Sequence, residues 1–253
     1  MNKNIKLICL FGIVALASQS AMAAGLKVRG GVTSNTYSLD ITPSTGSSYN
    51  YAKSNYSGTN LGLTWLMGES TYLDAALANG SGTWDGTYTN GTAFTSNMTR
   101  ADSAFILGTN LGGAGGNVVN LYAGWKNGET KLERAPGAAS NPALNFKTNG
   151  LIFGGGLGFP VGGAGSLGLS LGMGVMSGSY DSTASGVTTT YKADMALGFS
   201  YGIGYSYPFT KNLGMAIDYK GNAYKYIFDS GLTTQWDLNE TFNTASGSLY
   251  FTF

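Results

Sequence analysis

Apart from the mixed cluster Glu129, Lys131 and Glu133 in a polar connection, four pairs of charged residues stand two positions apart in this chain: Lys27 and Arg29, Arg100 and Asp102, Lys192 and Asp194, Asp218 and Lys220. Spacing of two puts both members on one face of a β-strand. Asp74 and Lys126 occupy equivalent places in other alternating segments. A carboxylate pair such as Asp74 and Asp102 could in principle share a proton or activate water. Next to Arg100, however, ion pairing is the simpler assignment for Asp102. The chain has no histidine, and its single cysteine is Cys9. Ser/His/Asp and Cys/His nucleophile sets and the usual zinc sites therefore have no donors here. Gly154 to Gly165 is glycine-rich, but no Gly-Lys-Ser/Thr follows it and no helix pattern opens from it, so it carries no phosphate-loop chemistry. Closely spaced carboxylates suited to calcium are also lacking in the polar segments.

The elements that must position these charges are strands. Period-two runs occur at Leu26–Val32, Leu61–Met67, Leu73–Leu77, Phe105–Leu111, Val119–Trp125, Leu151–Phe159, Leu167–Val175, Tyr191–Tyr207, Leu213–Tyr219 and Gly247–Phe253, which makes ten. Short connections fall at Gly68–Ser70, Gly112–Gly116, Gly162–Ser166 and Pro208–Asn212, where glycine and proline supply turn geometry. Longer ones fall near 42–54, 80–98, 127–146, 178–189 and 229–243. Eight strands would leave two runs unexplained. Twelve would need a separate strand from Trp236 to Phe242.

Residues 1–23 read as a cleaved export signal: Lys3 and Lys6, an apolar run from Leu7 to Ala17, and the small-residue spacing Ala21-Met22-Ala23. The mature part is then 24–253, a single domain without cysteine. Removing Lys3 and Lys6 from the 14 basic residues leaves twelve against 13 acidic ones, so nothing points to nucleic acid. No later segment approaches the roughly 18 to 20 continuous apolar residues of a membrane helix.

An export signal, alternating strands with short and long connections, and a final strand ending Leu249-Tyr-Phe251-Thr-Phe253 resemble the bacterial outer-membrane β-barrel proteins. The resemblance covers the whole mature chain, and it is to the small porin-like barrels. It implies an all-β fold: a transmembrane antiparallel up-and-down barrel of about ten strands, with twelve or eight as alternatives, both termini periplasmic and the longer connections external. It also implies partners: outer-membrane lipid and lipopolysaccharide, and a barrel-assembly machinery that reads Phe253. Outward parity places Trp65, Trp125, Tyr205, Tyr207, Tyr219 and Phe251 as aromatic anchors at the membrane interfaces. The enzymes known among such barrels, including the omptin-like proteases, use a histidine in the catalytic set, which this chain cannot supply. No enzymatic activity, cofactor or metal is expected.

Inward parity gives the lumen Lys27, Arg29, Asp74, Arg100, Asp102, Lys126, Lys192, Asp194, Asp218 and Lys220. Ion pairs are expected within Arg100/Asp102, Lys192/Asp194 and Asp218/Lys220. Against these charges stands a wall of small residues: Gly150, Gly154, Gly156, Gly158, Gly168, Gly172, Gly174, Gly198, Gly202 and Gly204 with neighbouring serines. Such a wall makes room for long side chains, permits tight curvature, or leaves space for water and solute. The expected function is a narrow channel for small solutes with a mild anion preference. The alternative is a surface-interaction or structural protein acting through its external connections.

Overall fold

The computed structural model describes residues 25–43, 48–87, 93–112, 116–133, 143–163, 165–228 and 236–253. The export segment 1–23 lies outside the described residues. Eleven strands follow in order: β1 (Gly25–Pro43), β2 (Tyr49–Met67), β3 (Thr71–Thr87), β4 (Ala93–Gly112), β5 (Val118–Leu132), β6 (Ala143–Pro160), β7 (Ser166–Ala184), β8 (Val187–Lys192), β9 (Met195–Pro208), β10 (Leu213–Phe228) and β11 (Trp236–Thr252). Each pairs antiparallel with its neighbour along the chain as far as β7, β7 pairs with both β8 and β9, and β1 pairs with β11. β8 and β9 are two halves of one wall strand, so the sheet closes as a ten-stranded barrel. The stretch from Trp236 to Phe242 lengthens the last strand instead of adding another.

All four short turns lie where the glycine and proline signals put them, at one end of the barrel, here the turn end. The connections at the other end, the loop end, are much shorter than the sequence suggested, because the strands run on through their polar flanks. Between β7 and β8 only Ser185 and Gly186 remain, with φ of 50° and 79°. Positive φ at both central residues is the two-residue hairpin geometry that matches strand twist.

The reason lies in a reversal of phase along each strand. Near the turn end the large apolar residues point out: Leu61, Leu63 and Trp65 on β2, Phe105 and Leu107 on β4, Leu151 and Phe153 on β6, Ile217 and Tyr219 on β10, all exposed. Nearer the loop end the opposite parity is apolar and buried: Ala52, Met98, Leu144 with Phe146, and Tyr224 through Tyr226 to Phe228 on the same four strands. The outward positions there are Lys53, Asn55, Asn97, Asn145, Lys147 and Lys225. An apolar exterior needs lipid and a polar one needs water, so the turn-end half is membrane-embedded and the loop-end half projects. The lengths agree. A 19-residue strand such as β1 is about 63 Å long, or about 44 Å in height at a 45° tilt, against an apolar band of about 25 Å.

Aromatic residues mark the band. Trp65, Tyr207, Phe251 and Phe253 lie at the turn-end limits of their strands, and Trp125, Tyr219, Tyr201 and Phe105 lie further in, all exposed. Tyr205 is only half-exposed. Phe253 donates its backbone N–H to Leu26 at 2.8 Å, so the last residue is still tied to β1.

Candidate functional site

The interior is built in layers from inward-facing residues. Near the turn end, the Lys27 ammonium lies 3.9 Å above the Tyr250 ring. Asn120 donates to the Tyr72 hydroxyl at 2.8 Å and to Asn110 Oδ1 at 3.1 Å. One layer in, Arg29 grips Asp74 with both terminal nitrogens, at 2.7 and 2.9 Å, and donates to Thr64 at 2.8 Å. Thr64 itself donates to Asp74. A two-nitrogen grip on a buried carboxylate is the geometry guanidinium favours. Gly62 makes it possible: a Cβ there would occupy the space of the Arg29 guanidinium.

A second charged layer lies toward the loop end, with Arg100 at its hub. Its Nε and Nη2 donate to Asp102 at 2.7 and 2.5 Å, and its Nη1 donates to Thr130 at 2.5 Å and reaches Glu240 at 3.4 Å. Glu240 also accepts from Thr130 at 2.9 Å and from Tyr226 at 2.7 Å. The guanidinium stacks 4.0 Å from the centre of the Phe242 ring. Lys126 donates to the Tyr224 hydroxyl and lies 3.9 Å from Asp102.

Above this layer the lumen is filled. Leu39, Ala52, Trp84, Met98, Leu132, Phe146, Met176, Ala196, Phe228 and Leu238 form one buried cluster with Tyr37, Leu144, Tyr224, Tyr226 and Phe242. Every one of the ten wall strands contributes to it, so it crosses the whole section of the barrel. Tyr180 stacks on Tyr191 at 4.7 Å and on Phe146 at 5.5 Å, which extends the filling toward the loop end.

Eight of the ten expected lumen charges face the interior, and two do not. β8 pairs with β7 one residue out of step from β9, so that Lys192 stands opposite Ser179 and Tyr191 opposite Tyr180. The slip occurs at Ala193–Asp194 and turns Lys192 to the outside. Lys192 and Asp194 are both exposed. Period-two parity carries no warning of a one-residue irregularity. The expected pair of Arg100 and Asp102 forms. Asp218 and Lys220 both face inward and attract one another electrostatically, but form no close ion pair: Asp218 leans over Gly204 and accepts from Ser246 at 3.4 Å, while the stem of Lys220 leans over Gly202. Asp74 and Asp102 are held separately by Arg29 and Arg100 and form no carboxylate pair. Glu240, central to the second layer, was missed because 229–243 read as a connection.

Most of the glycine wall serves as seats for side chains. Tyr122 covers Gly154 and Gly172, Tyr224 covers Gly198, and Tyr226 covers Gly178. Free space remains beside Gly158, where an added Cβ would meet nothing nearer than Val118 at 3.7 Å. A cavity of about 120 Å³ lies beneath the plug, lined by Lys220, Asn222, Ser170 and Ser200 on one side and Ile106, Ile152, Met176 and Phe242 on the other, with Arg100, Asp102 and Lys126 between. Among the described residues, no group of His, Cys, Asp and Glu is arranged to hold a metal ion.

No family model matches the chain, and no curated protein matches it. Solved structures do. The outer-membrane protease OmpT from Escherichia coli superposes with a TM-score of 0.56 at 10% identity, over 94% of this chain and all of that one. The translocator domain of the autotransporter NalP from Neisseria meningitidis gives 0.48 at 12% identity, over 94% and 91% of the two chains. The outer membrane protein OprG from Pseudomonas aeruginosa gives 0.44 at 12% identity, over 91% and 96%. The fold is thus that of the outer-membrane small β-barrels. At these identities the likeness extends to the fold alone.

Proposed function

We propose that this protein is a bacterial outer-membrane barrel whose lumen is sealed and whose projecting loop-end half is its working part, a rigid surface for interaction outside the cell. One observation carries this reading: the apolar cluster to which all ten wall strands contribute. Solute moving along the axis would have to pass side chains such as Trp84, Met98, Tyr226 and Leu238, all at most 2% exposed. The narrow channel suggested by the glycine wall loses support, since Tyr122 covers Gly154 and Gly172, Tyr224 covers Gly198, Asp218 covers Gly204, and Ser170 with the Lys220 stem covers Gly202. In this reading the turn end and both termini face the periplasm, Phe253 is the assembly signal, and lipopolysaccharide surrounds the lysines above the aromatic band. No catalytic centre is assigned, because Asp74 and Asp102 are each engaged by an arginine and no histidine is present.

The projecting wall is suited to contact. Its outward face alternates Ser, Thr and Asn with paired charges, Lys147 with Asp181 at 2.6 Å and Lys225 with Asp237 at 2.7 Å. The internal aromatic cluster fixes the backbone beneath, so the surface is presented without an ordering cost at the moment of binding. Conductance of the refolded mature protein in a planar bilayer tests the reading. Folded wild-type protein should be silent, and the triple variant Trp84→Ala, Tyr226→Ala, Leu238→Ala should conduct in discrete steps. Discrete steps from wild-type protein would refute the sealed lumen.

A further inference from the structure

The cavity beneath the plug has no role in the sealed-barrel reading, and its lining is chemically lopsided. Three cations, Arg100, Lys126 and Lys220, line it against one carboxylate, Asp102. Glu240 lies behind Arg100 at 3.4 Å and offsets it, and Asp218, the inward residue before Lys220 on β10, offsets the lysine from outside the lining, so the imbalance is one of which groups face the cavity and not of net charge. Arg100 and Asp102 satisfy one another, and Lys126 is engaged by Tyr224 and Asp102. Lys220 has no hydrogen bond or ion pair with any described residue, and neither the Asn222 amide nor the Ser170 hydroxyl has a hydrogen-bond partner among them.

Register brings these unpartnered groups together. Lys220 stands opposite Gly202 on β9, and Gly202 stands opposite Ser170 on β7. With no side chain between them, the Ser170 hydroxyl and the Lys220 stem approach the same point, 2.7 and 3.3 Å from where a Cβ of Gly202 would be. Asn222 is the next inward residue on β10, opposite Ser200. One ammonium, one amide and two hydroxyls thus converge on one side of a space whose far side is Ile106, Ile152, Met176 and Phe242. Donors on one side and hydrocarbon on the other describe the complement of a small amphipathic anion.

We propose that this cavity is a binding site for one small organic anion, a monocarboxylate with a compact apolar body. The carboxylate meets Lys220, Asn222 and Ser170, and the body lies against Ile106, Ile152 and Met176. Size sets the limit: an engineered cavity of about 150 Å³ takes benzene, so about 120 Å³ holds a smaller body, a carboxylate on a short branched chain. This inference does not depend on whether the barrel conducts.

The test uses the refolded mature protein in detergent micelles, titrated calorimetrically with sodium isobutyrate and, at matched ionic strength, with neutral isobutyramide. Isobutyrate is expected to bind at one site, at least tenfold more tightly than isobutyramide. Lys220→Met should weaken isobutyrate at least tenfold while leaving isobutyramide within twofold, and Lys192→Met, on the outer wall, should change neither. If Lys220→Met does not fold, as judged by its gel shift without heating, Ser170→Leu decides instead: it fills the cavity without removing charge and should abolish binding of both ligands. No isobutyrate binding at 10 mM, on the order of the weakest useful affinity, equal affinity for isobutyramide, or unchanged affinity in the decisive variant would each overturn the proposal and leave a cavity holding water alone.

Discussion

Arg100→Met is the sharpest test of the interior network. Arg100 is 4% exposed and Glu240 1%, so the guanidinium balances two carboxylates in a region where water cannot. Methionine keeps the stem packed against Phe242 and removes the charge together with its donors to Asp102, Thr130 and Glu240. Asp102 retains only Lys126, at 3.9 Å. Glu240 retains neutral donors, Thr130 and Tyr226, but no cation within bonding distance. Removing one partner of a buried ion pair costs about 3–5 kcal/mol, most of it the penalty on the charge left behind. The expected loss lies in that range. Adding Glu240→Gln to Arg100→Met removes one stranded charge, so the double variant should be more stable than the two single losses added together, by about 1–2 kcal/mol. Unfolding of micelle-held protein in urea, followed by tryptophan fluorescence and by the heat-dependent gel shift, measures both quantities. An Arg100→Met loss below about 0.5 kcal/mol, or strict additivity with Glu240→Gln, would show that the network carries no such coupling.

The glycine seats separate cleanly from glycines with room to spare: Gly178→Ala drives a methyl into the Tyr226 ring and should destabilise by about 1–3 kcal/mol as overpacking does. Gly158→Ala, whose added Cβ would make ordinary contact with Val118 at 3.7 Å, should be neutral or slightly stabilising in the same urea assay. The boundary of the lipid band is tested by paired arginine scans, in which Leu171→Arg on the exposed apolar face should cost about 2–4 kcal/mol in bilayers and Asn149→Arg on the projecting wall less than about 0.5 kcal/mol; equal costs would move the boundary. At the loop end, hydrogen bonds from Lys147 and Thr190 hold the Asp181 carboxyl below its ordinary 3.8. A depressed folded value means that its contribution is present above the unfolded pKa and lost as pH falls through the folded one. Cleavage at the Ser185–Gly186 turn by an acid-active protease should therefore rise below about pH 3.8 in wild type, and Asp181→Asn should show the high rate at every pH.

The membrane-embedded half of the barrel was legible because lipid imposes a simple rule, apolar residues out at every second position. That rule, with four glycine- and proline-marked turns, suffices for the strand count, the closure and the inward placement of Lys27, Arg29, Asp74, Arg100, Asp102, Lys126, Asp218 and Lys220. Above the membrane the same strands continue under the opposite rule. Leu144 and Phe146 are even-numbered where Leu151 and Phe153 are odd, and Tyr224, Tyr226 and Phe228 are even-numbered where Ile217 and Tyr219 are odd. Read as one pattern, the change of phase looks like the end of a strand, which is why the projecting wall reads as long connections in the sequence and why Glu240 and the aromatic plug do not stand out there. The sequence does carry the signal. In β6 the apolar set steps from Phe146 to Leu151, an odd interval that a single-phase strand does not allow.

That change of phase bears on function as well as on fold. A channel selects against large apolar groups pointing into its lumen, whereas a soluble β-barrel domain requires them. Here the chain meets the first condition inside the membrane, where tyrosines and ion pairs still leave a cavity, and the second above it, where Trp84, Met98, Phe146, Tyr226, Phe228 and Leu238 close the section. The ten strands therefore serve two domains in series, a membrane anchor and a water-exposed barrel with its own apolar core. A stem that only had to hold loops at the membrane surface would need neither the added strand length nor that core. Burying a tryptophan and several tyrosines on strands that have already left the bilayer stabilises the projecting wall itself, and it is this wall, with its Ser, Thr, Asn and paired charge, that the proposed function makes the contact surface.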